Sequence, residues 1–502
     1  MSLKRNILAN YVSQIYVILI GIVMVPIYLR YMGAEAYGLV GFFAVLQSWF
    51  QLLDIGLTPT MARETARFNG GATDALSLRR LLRAMEGVFV GVAVLGALGM
   101  MVGSGAIARD WLKVGQLPLS EVQNAIMLMA MIVAMRWVCG LYRSAITGFE
   151  RLVWLSGFNM AMATARFVLV IPLFILVGSS PELFFGYQLL LALLEVVVLV
   201  IQTYRFLPKI PVGQSTPLQW EPLKHVLRFS SSIAFAGFFW VIATQADKLV
   251  LSNLLPLAEY GYFTLIALVA GGVLAIGGPV SGALLPRLSK LVAEGDERGI
   301  LQLYRGATQV VAVMAVPATL ILAFFPTQVL WAWTGDAILV ASAAPILALY
   351  AVGSGFAVIS AFPYYLQFAK GNIRLHLTGR LIFVVILVSS LMWAASRFGM
   401  AGAAWIWLGV NVAYIMLWVP IEHQQFAPGL HFSWMLKDII AICFPPVLVV
   451  LLLQHVLTWP VVRAAIAVQL SIVGLLLLIF ACMSSSKIRA MVRDRLGSAG
   501  ID

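Results

Sequence analysis

Runs of about twenty uncharged, apolar residues recur along this chain, each closed by glycine, proline or a cluster of charge. A helix rises about 1.5 Å per residue, so each run matches the ~30 Å hydrocarbon layer of a bilayer. Backbone N–H and C=O groups find no water in that layer, and an α-helix satisfies them within a single segment. The runs therefore predict an all-α polytopic membrane protein. Fourteen spans are expected, at residues 6–28, 37–57, 84–107, 122–142, 153–178, 183–204, 229–254, 261–284, 306–325, 338–362, 381–396, 401–421, 439–457 and 464–483. The first, preceded by Lys4 and Arg5, is longer than a signal-peptide core and reads as a retained helix.

Composition agrees, with 62% hydrophobic residues and 11% charged. A soluble chain is about a quarter charged, so a soluble globule and a disordered chain are both excluded. The net charge of +12 would raise the question of nucleic acid in a soluble domain. Here its distribution answers otherwise. With the N-terminus in the cytoplasm, external segments hold only Arg30, Arg109, Lys113, Arg397 and Arg463, and spans hold only Arg136, Arg166 and Lys248. Every other Lys and Arg is cytoplasmic, so the positive excess orients the fold and implies no nucleic-acid partner. External connections are short. The cytoplasmic ones at 58–83, 205–228 and 285–305 are longer, and the basic tail 484–502 (Lys487, Arg489, Arg493, Arg495) is expected against the anionic lipids of a membrane surface. Both termini are placed in the cytoplasm. The three cysteines lie far apart without CxxC spacing, and the five histidines (225, 376, 423, 431, 455) fall near span ends, where they read as solvated. No metal site, catalytic residue or bound cofactor is expected.

Sliding the chain along itself by 223 residues superposes Tyr37-Gly38 on Tyr260-Gly261, Tyr142 on Tyr365, Gly148 on Gly371, Arg151-Leu152 on Arg374-Leu375 and Gly186 on Gly409. Six spans per copy return the chain to the same side, so the copies are parallel. The expected organisation is a six-helix lobe at 1–210, a second at 211–430, and two extra helices with the basic tail at 431–502.

Charge inside a span costs roughly 2.5–3.5 kcal/mol on insertion scales, so such residues mark a bundle interior or an aqueous cavity. Arg166 lies near the middle of its span with Ser156, Asn159 and Ala163 on the same face. A guanidinium grips phosphate oxygens bidentately and stays charged, so Arg166 is either a pyrophosphate ligand or the ion-pair partner of Glu195. Arg136, with Arg143 below it on the same face, either meets an entering anionic head group or snorkels. Lys248 is a further substrate-binding candidate. Its neighbour Asp247 points about 100° away, so the two are not expected to pair. Asp54, Glu86, Glu195 and Asp247 are the acids within spans, and an acid beside a cation can bind and release a proton or sodium ion as its access changes. Asp54 and Glu86 lie near cytoplasmic ends, where solvation alone also explains them. Gly277-Gly278-Pro279 predicts a kink and a candidate hinge. Trp331, Trp333, Trp405, Trp407 and Trp418 read as belt residues or as platforms for sugars.

The stretch Pro26-Ile-Tyr-Leu-Arg-Tyr-Met-Gly-Ala-Glu-Ala-Tyr-Gly38, then Leu52-Leu-Asp-Ile-Gly-Leu57 and Arg63-Glu-Thr-Ala-Arg67, resembles the opening of bacterial polysaccharide exporters of the O-antigen flippase (Wzx) type. Asp247-Lys-Leu-Val-Leu-Ser252 followed by Glu259-Tyr-Gly-Tyr262 is similar to a later part of the same family. The resemblance implies membership of the multidrug, oligosaccharidyl-lipid and polysaccharide exporter superfamily and two six-helix lobes in a V. It further implies a transporter, not an enzyme, of the bacterial inner membrane. Such a transporter moves an undecaprenyl-pyrophosphate-linked oligosaccharide of lipopolysaccharide O-antigen type from the cytoplasmic to the periplasmic leaflet. The parallel duplication and the acids within spans lead to the expectation of alternating access coupled to a proton or sodium gradient. Membrane lipids and other polysaccharide-assembly proteins are the implied partners. The alternatives are a drug antiporter of the same superfamily and a membrane polymerase or glycosyltransferase. Against the last stand the short external loops and the absence of paired catalytic acids.

Overall fold

The computed structural model describes residues 3–54, 56–208 and 221–498. Among them every element is helical, with one isolated bridge between Lys113 and Pro256. Eleven helical stretches of the described residues are long and apolar enough to cross a membrane, so the chain is an all-α multi-pass membrane protein. Stretches are not the same as crossings. Leu8–Asp54 and Arg374–Phe426 are interrupted by Gly33 (φ 82°) and Gly399 (φ 55°), where only glycine takes a positive φ without strain and one helix gives way to the next. Glu221–Leu254 adds a further helix. The figure of fourteen spans stays an expectation.

Two compact units form, Met1–Gly261 and Tyr262–Asp502. The boundary expected at 210/211 falls among residues 209–220, outside the described residues, as do part of the connection 205–228, the end of the tail, and the side chains of Lys4, His225 and Arg495. The first unit comprises α1 (Leu3–Phe50), α2 (Leu57–Asn69), α3 (Ala75–Ala106), α4 (Leu119–Gly148), α5 (Leu152–Phe167), α6 (Val170–Leu176), α7 (Pro181–Phe206), α8 (Glu221–Leu254) and the start of α9 (Leu257–Ala275). α4 is its core. In the most apolar window of α4, 67% of residues are buried, against 17% in the α3 window, because α1, α2, α3, α5 and α7 all pack on α4 while α3 turns Leu95 and Val102 outward. Exposed apolar side chains of that size fit a lipid-facing surface.

Helices in lipid gain little from hydrophobic attraction to each other, so close backbone approach through small residues holds them. Gly148 closes α4 onto α2, where an added Cβ would lie 2.5 Å from the Ala62 carbonyl oxygen. Gly38 on α1 and Gly261 on α9 meet in the same manner, Gly38 against the Leu257 carbonyl and Gly261 with its Cβ position 2.5 Å from the Ala34 carbonyl.

The second unit holds α10 (Gly277–Glu294), α11 (Glu297–Phe324), α12 (Pro326–Thr334), α13 (Ala337–Ser360), α14 (Phe362–Ala369), α15 (Arg374–Ala413), α16 (Val419–Phe426), α17 (Leu430–Trp434), α18 (Ala441–Val456), α19 (Arg463–Ser484) and α20 (Ser486–Ser498). The two late spans dock on α11, with Val450, Ile466, Leu470 and Val473 packed in one cluster with Val316 and Leu320. The connection expected at 285–305 is helical except at the turn through Gly295 and Asp296, and the connection at 58–83 contains α2 and the start of α3. At Ile276 the helix breaks between α9 and α10, with Gly277, Gly278 and Pro279 forming the first turn of α10, where a missing proline N–H costs nothing.

Candidate functional site

Three helices of the first unit each carry two polar residues seven apart: Arg136 and Arg143 on α4, Asn159 and Arg166 on α5, Gln188 and Glu195 on α7. Seven residues are nearly two full turns, so each pair shares a helix face. The three faces converge. All six side chains line one cavity of about 680 Å³. Glu195 lies in its wall, only 2% exposed, with one carboxylate oxygen on Arg143 and the other on Arg166. Arg143 also donates to the Asn159 amide oxygen, and Arg136 Nη2 donates to Gln188 Oε1 at 2.7 Å while its guanidinium lies 5.2 Å over the Phe43 ring. Gln188 Nε2 in turn donates to the Arg166 carbonyl at 3.1 Å.

That carbonyl is free because α5 ends at Phe167 and the chain restarts as α6 just before Pro172, a residue that cannot donate and that displaces the preceding turn. The Tyr28 hydroxyl donates to Phe167 O at 3.0 Å and the Tyr187 hydroxyl to Ala165 O at 2.8 Å, so side chains replace the missing helical donors. Arg166 thus sits in the last turn of α5, where the helix dipole favours a cation. Three guanidiniums against one carboxylate leave the wall net positive. The Arg143 and Arg166 side chains are 27% and 21% exposed, so they meet the cavity while their counter-ion stays beneath them. Such a wall is complementary in charge and donors to an anion with several oxygens.

The other charged candidates lie elsewhere. Lys248 does not line this cavity. Its Nζ donates to Thr244 O at 2.6 Å and lies 3.7 Å from Asp247 Oδ1, whose oxygen also accepts the Lys248 backbone N–H at 2.8 Å. The expectation that Asp247 and Lys248 do not pair is therefore corrected. Backbone angle separates their Cα–Cβ directions, but the four-carbon lysine stem folds back along α8 and crosses that angle. Glu86 accepts from the hydroxyls of Tyr142 (3.0 Å) and Tyr204 (2.9 Å) and pairs with Arg83 at 3.6 Å, so it is held by protein groups and not merely solvated. Asp54 caps the start of α2, accepting the Thr58 N–H at 3.1 Å, and lines a second cavity of about 460 Å³ that shares Gln47, Gln51 and Arg136 with the first.

His423 needs a larger correction. His423 is 1% exposed, its Nε2 is 2.7 Å from the Tyr304 hydroxyl, and its Nδ1 is 3.0 Å from His431 Nδ1. Nearby, Asp438 accepts from Arg305 Nε at 2.6 Å and Gln309 Nε2 at 2.6 Å, and Gln309 Oε1 accepts from the Ser485 hydroxyl and the Lys487 N–H. His423 on α16 packs between Tyr304 of α11 and Trp434 of α17, so tertiary contact buries what the chain position alone leaves open. This network in the second unit ties the late helices to α11. No hydropathy signal marks it. The seven-residue spacing of Gln188 before Glu195 was visible in the sequence and would have added Gln188 to the site.

A family model described as "Polysaccharide biosynthesis protein" matches residues 3–292, more than half of the chain. No curated protein matches the sequence. Among solved structures, a lipid II flippase MurJ in an inward closed conformation aligns with TM-score 0.71 and 13% identity, over 95% of this chain and 98% of that one. An inward-facing multidrug resistance MATE transporter of the MOP superfamily aligns with TM-score 0.64 and 14% identity, over 81% and 93%. A MOP superfamily transporter from Pyrococcus furiosus gives 0.54 and 13%, over 86% and 94%. At such identities the likeness establishes the fold, one shared with membrane flippases and transporters.

Proposed function

This chain belongs to the polysaccharide biosynthesis protein family, and from that premise we propose that it flips a polyprenyl-diphosphate-linked oligosaccharide, of the undecaprenyl type, across a bacterial inner membrane. The observation that carries this reading is the cavity in which Arg136, Arg143 and Arg166 outnumber Glu195. A diphosphate offers the oxygens and charge that such a wall complements, whereas a cationic drug would meet three like charges. The glycan is carried to the periplasmic leaflet by alternating access, with both termini in the cytoplasm and no covalent chemistry performed by the protein.

Of the four acids named for coupling, we assign the role to Glu195, since protonating that one carboxylate would release two arginines to the substrate. Asp54, Glu86 and Asp247 are each engaged elsewhere, by Thr58, by Tyr142 and Tyr204, and by Lys248 respectively. Gly277, Gly278 and Pro279 supply a point at which α9 and α10 can bend during transport. The test is transport of a fluorescent undecaprenyl-diphosphate oligosaccharide in proteoliposomes. Arg166→Ala should abolish flipping and Arg166→Lys should keep part of it, both at normal folded yield. Full flipping by Arg166→Ala would rule out the diphosphate role.

A further inference from the structure

The second cavity, lined by Asp54, Trp240, Phe238 and the shared Gln47, Gln51 and Arg136, lies beside the arginine cavity in the first unit. Its walls differ in chemistry. Trp240 and Phe238 on α8 are 53% and 44% exposed, and since the Phe238 ring meets Phe239 edge-on at 5.6 Å, Trp240 offers the open aromatic face. Gln47 and Gln51 make no hydrogen bond to another described residue, leaving amide donors and acceptors on the cavity wall unused. Asp54 uses part of its lone-pair capacity on Thr58 and keeps the rest. Amides and a carboxylate that meet adjacent hydroxyls, beside an exposed aromatic face that covers C–H groups, form a carbohydrate-binding surface. The volume of about 460 Å³ is within the ~300–1,000 Å³ usual for small-molecule sites.

We propose that this smaller cavity is the subsite for the sugar ring attached directly to the diphosphate, with Trp240 as its stacking platform and Gln47, Gln51 and Asp54 as its hydroxyl partners. Arg136 lies on the wall common to both cavities, at the place where the phosphate next to the sugar would lie. The covalent order of the ligand, diphosphate then first sugar, then matches the order of the two cavities. This inference rests on the diphosphate reading of the arginine cavity, and the following measurement separates the two.

Full-length protein in lipid nanodiscs is titrated with three probes: undecaprenyl diphosphate, the same carrier bearing one N-acetylglucosamine, and the same carrier bearing one galactose. Wild type should bind at least one sugar-bearing probe roughly tenfold tighter than the bare carrier, as one or two added hydrogen bonds and a ring contact imply. Trp240→Ala should erase that difference and leave the bare carrier's Kd unchanged, and Trp240→Phe, which keeps a ring, should restore part of it. Equal binding of all three probes by wild type, or a sugar preference that survives Trp240→Ala, overturns the subsite while the diphosphate reading stands. Failure of all three probes to bind overturns the diphosphate reading, and the subsite with it.

Discussion

Glu195 controls the electrostatics of the arginine cavity. Its carboxylate neutralises part of the charge on Arg143 and Arg166, so these two guanidiniums are already occupied when no anion is present. An incoming diphosphate must compete with it. Removing one partner of a buried ion pair generally costs about 3–5 kcal/mol because a charge is left uncompensated, an effect softened here by the partial exposure of both arginines. Glu195→Gln should therefore lower the Tm of the detergent-solubilised protein, and inorganic pyrophosphate should raise that Tm more in the variant than in wild type. An equal pyrophosphate shift in both proteins would remove Glu195 from the binding wall. The same variant should flip lipid at a rate that no longer responds when the proton gradient across proteoliposomes is collapsed. A retained response would move coupling to another acid.

At the scale of elements, glycine positions divide into those that permit contact and those that do not. Gly148 and Gly371 are equivalent by the 223-residue offset yet serve different ends, the first allowing α4 to touch α2 and the second taking φ 72° in the turn after α14. Gly186 on α7 has nothing within 4 Å of an added Cβ. Gly148→Ala should accordingly reduce the folded yield and Tm sharply, since its Cβ would press on backbone that cannot swing aside. Gly186→Ala should raise Tm slightly, by the ~1 kcal/mol that alanine gains over glycine in a helix. Thermal melting of both variants in one detergent checks the pair, and equal losses would show that the close approach at Gly148 is not limiting. Gly38 and Gly261 also correspond by the offset, and each meets the carbonyl equivalent to the one met by the other, Leu257 and Ala34. A repeat visible only as spaced identities thus coincides with a reciprocal backbone contact in the first unit.

Over the whole molecule, charge distribution is the property with the broadest consequence. Basic residues crowd the segments assigned to the cytoplasm, so a fluorescent protein fused after Asp502 should fluoresce and an alkaline phosphatase fused there should be inactive. The reverse pattern would invert the orientation. Hydropathy made the helical, membrane-spanning class legible because it expresses the affinity of each segment for lipid, a local quantity that each twenty-residue window carries by itself. It also identified Arg136, Arg166 and Glu195 as charges that lipid would not tolerate. Which of them meet was decided only by tertiary structure, since pairing depends on the rotation and contact of helices far apart in the chain. That is why Glu195 holds two arginines, why Lys248 folds back onto Asp247, and why His423, near a span end in the sequence, is buried against Tyr304.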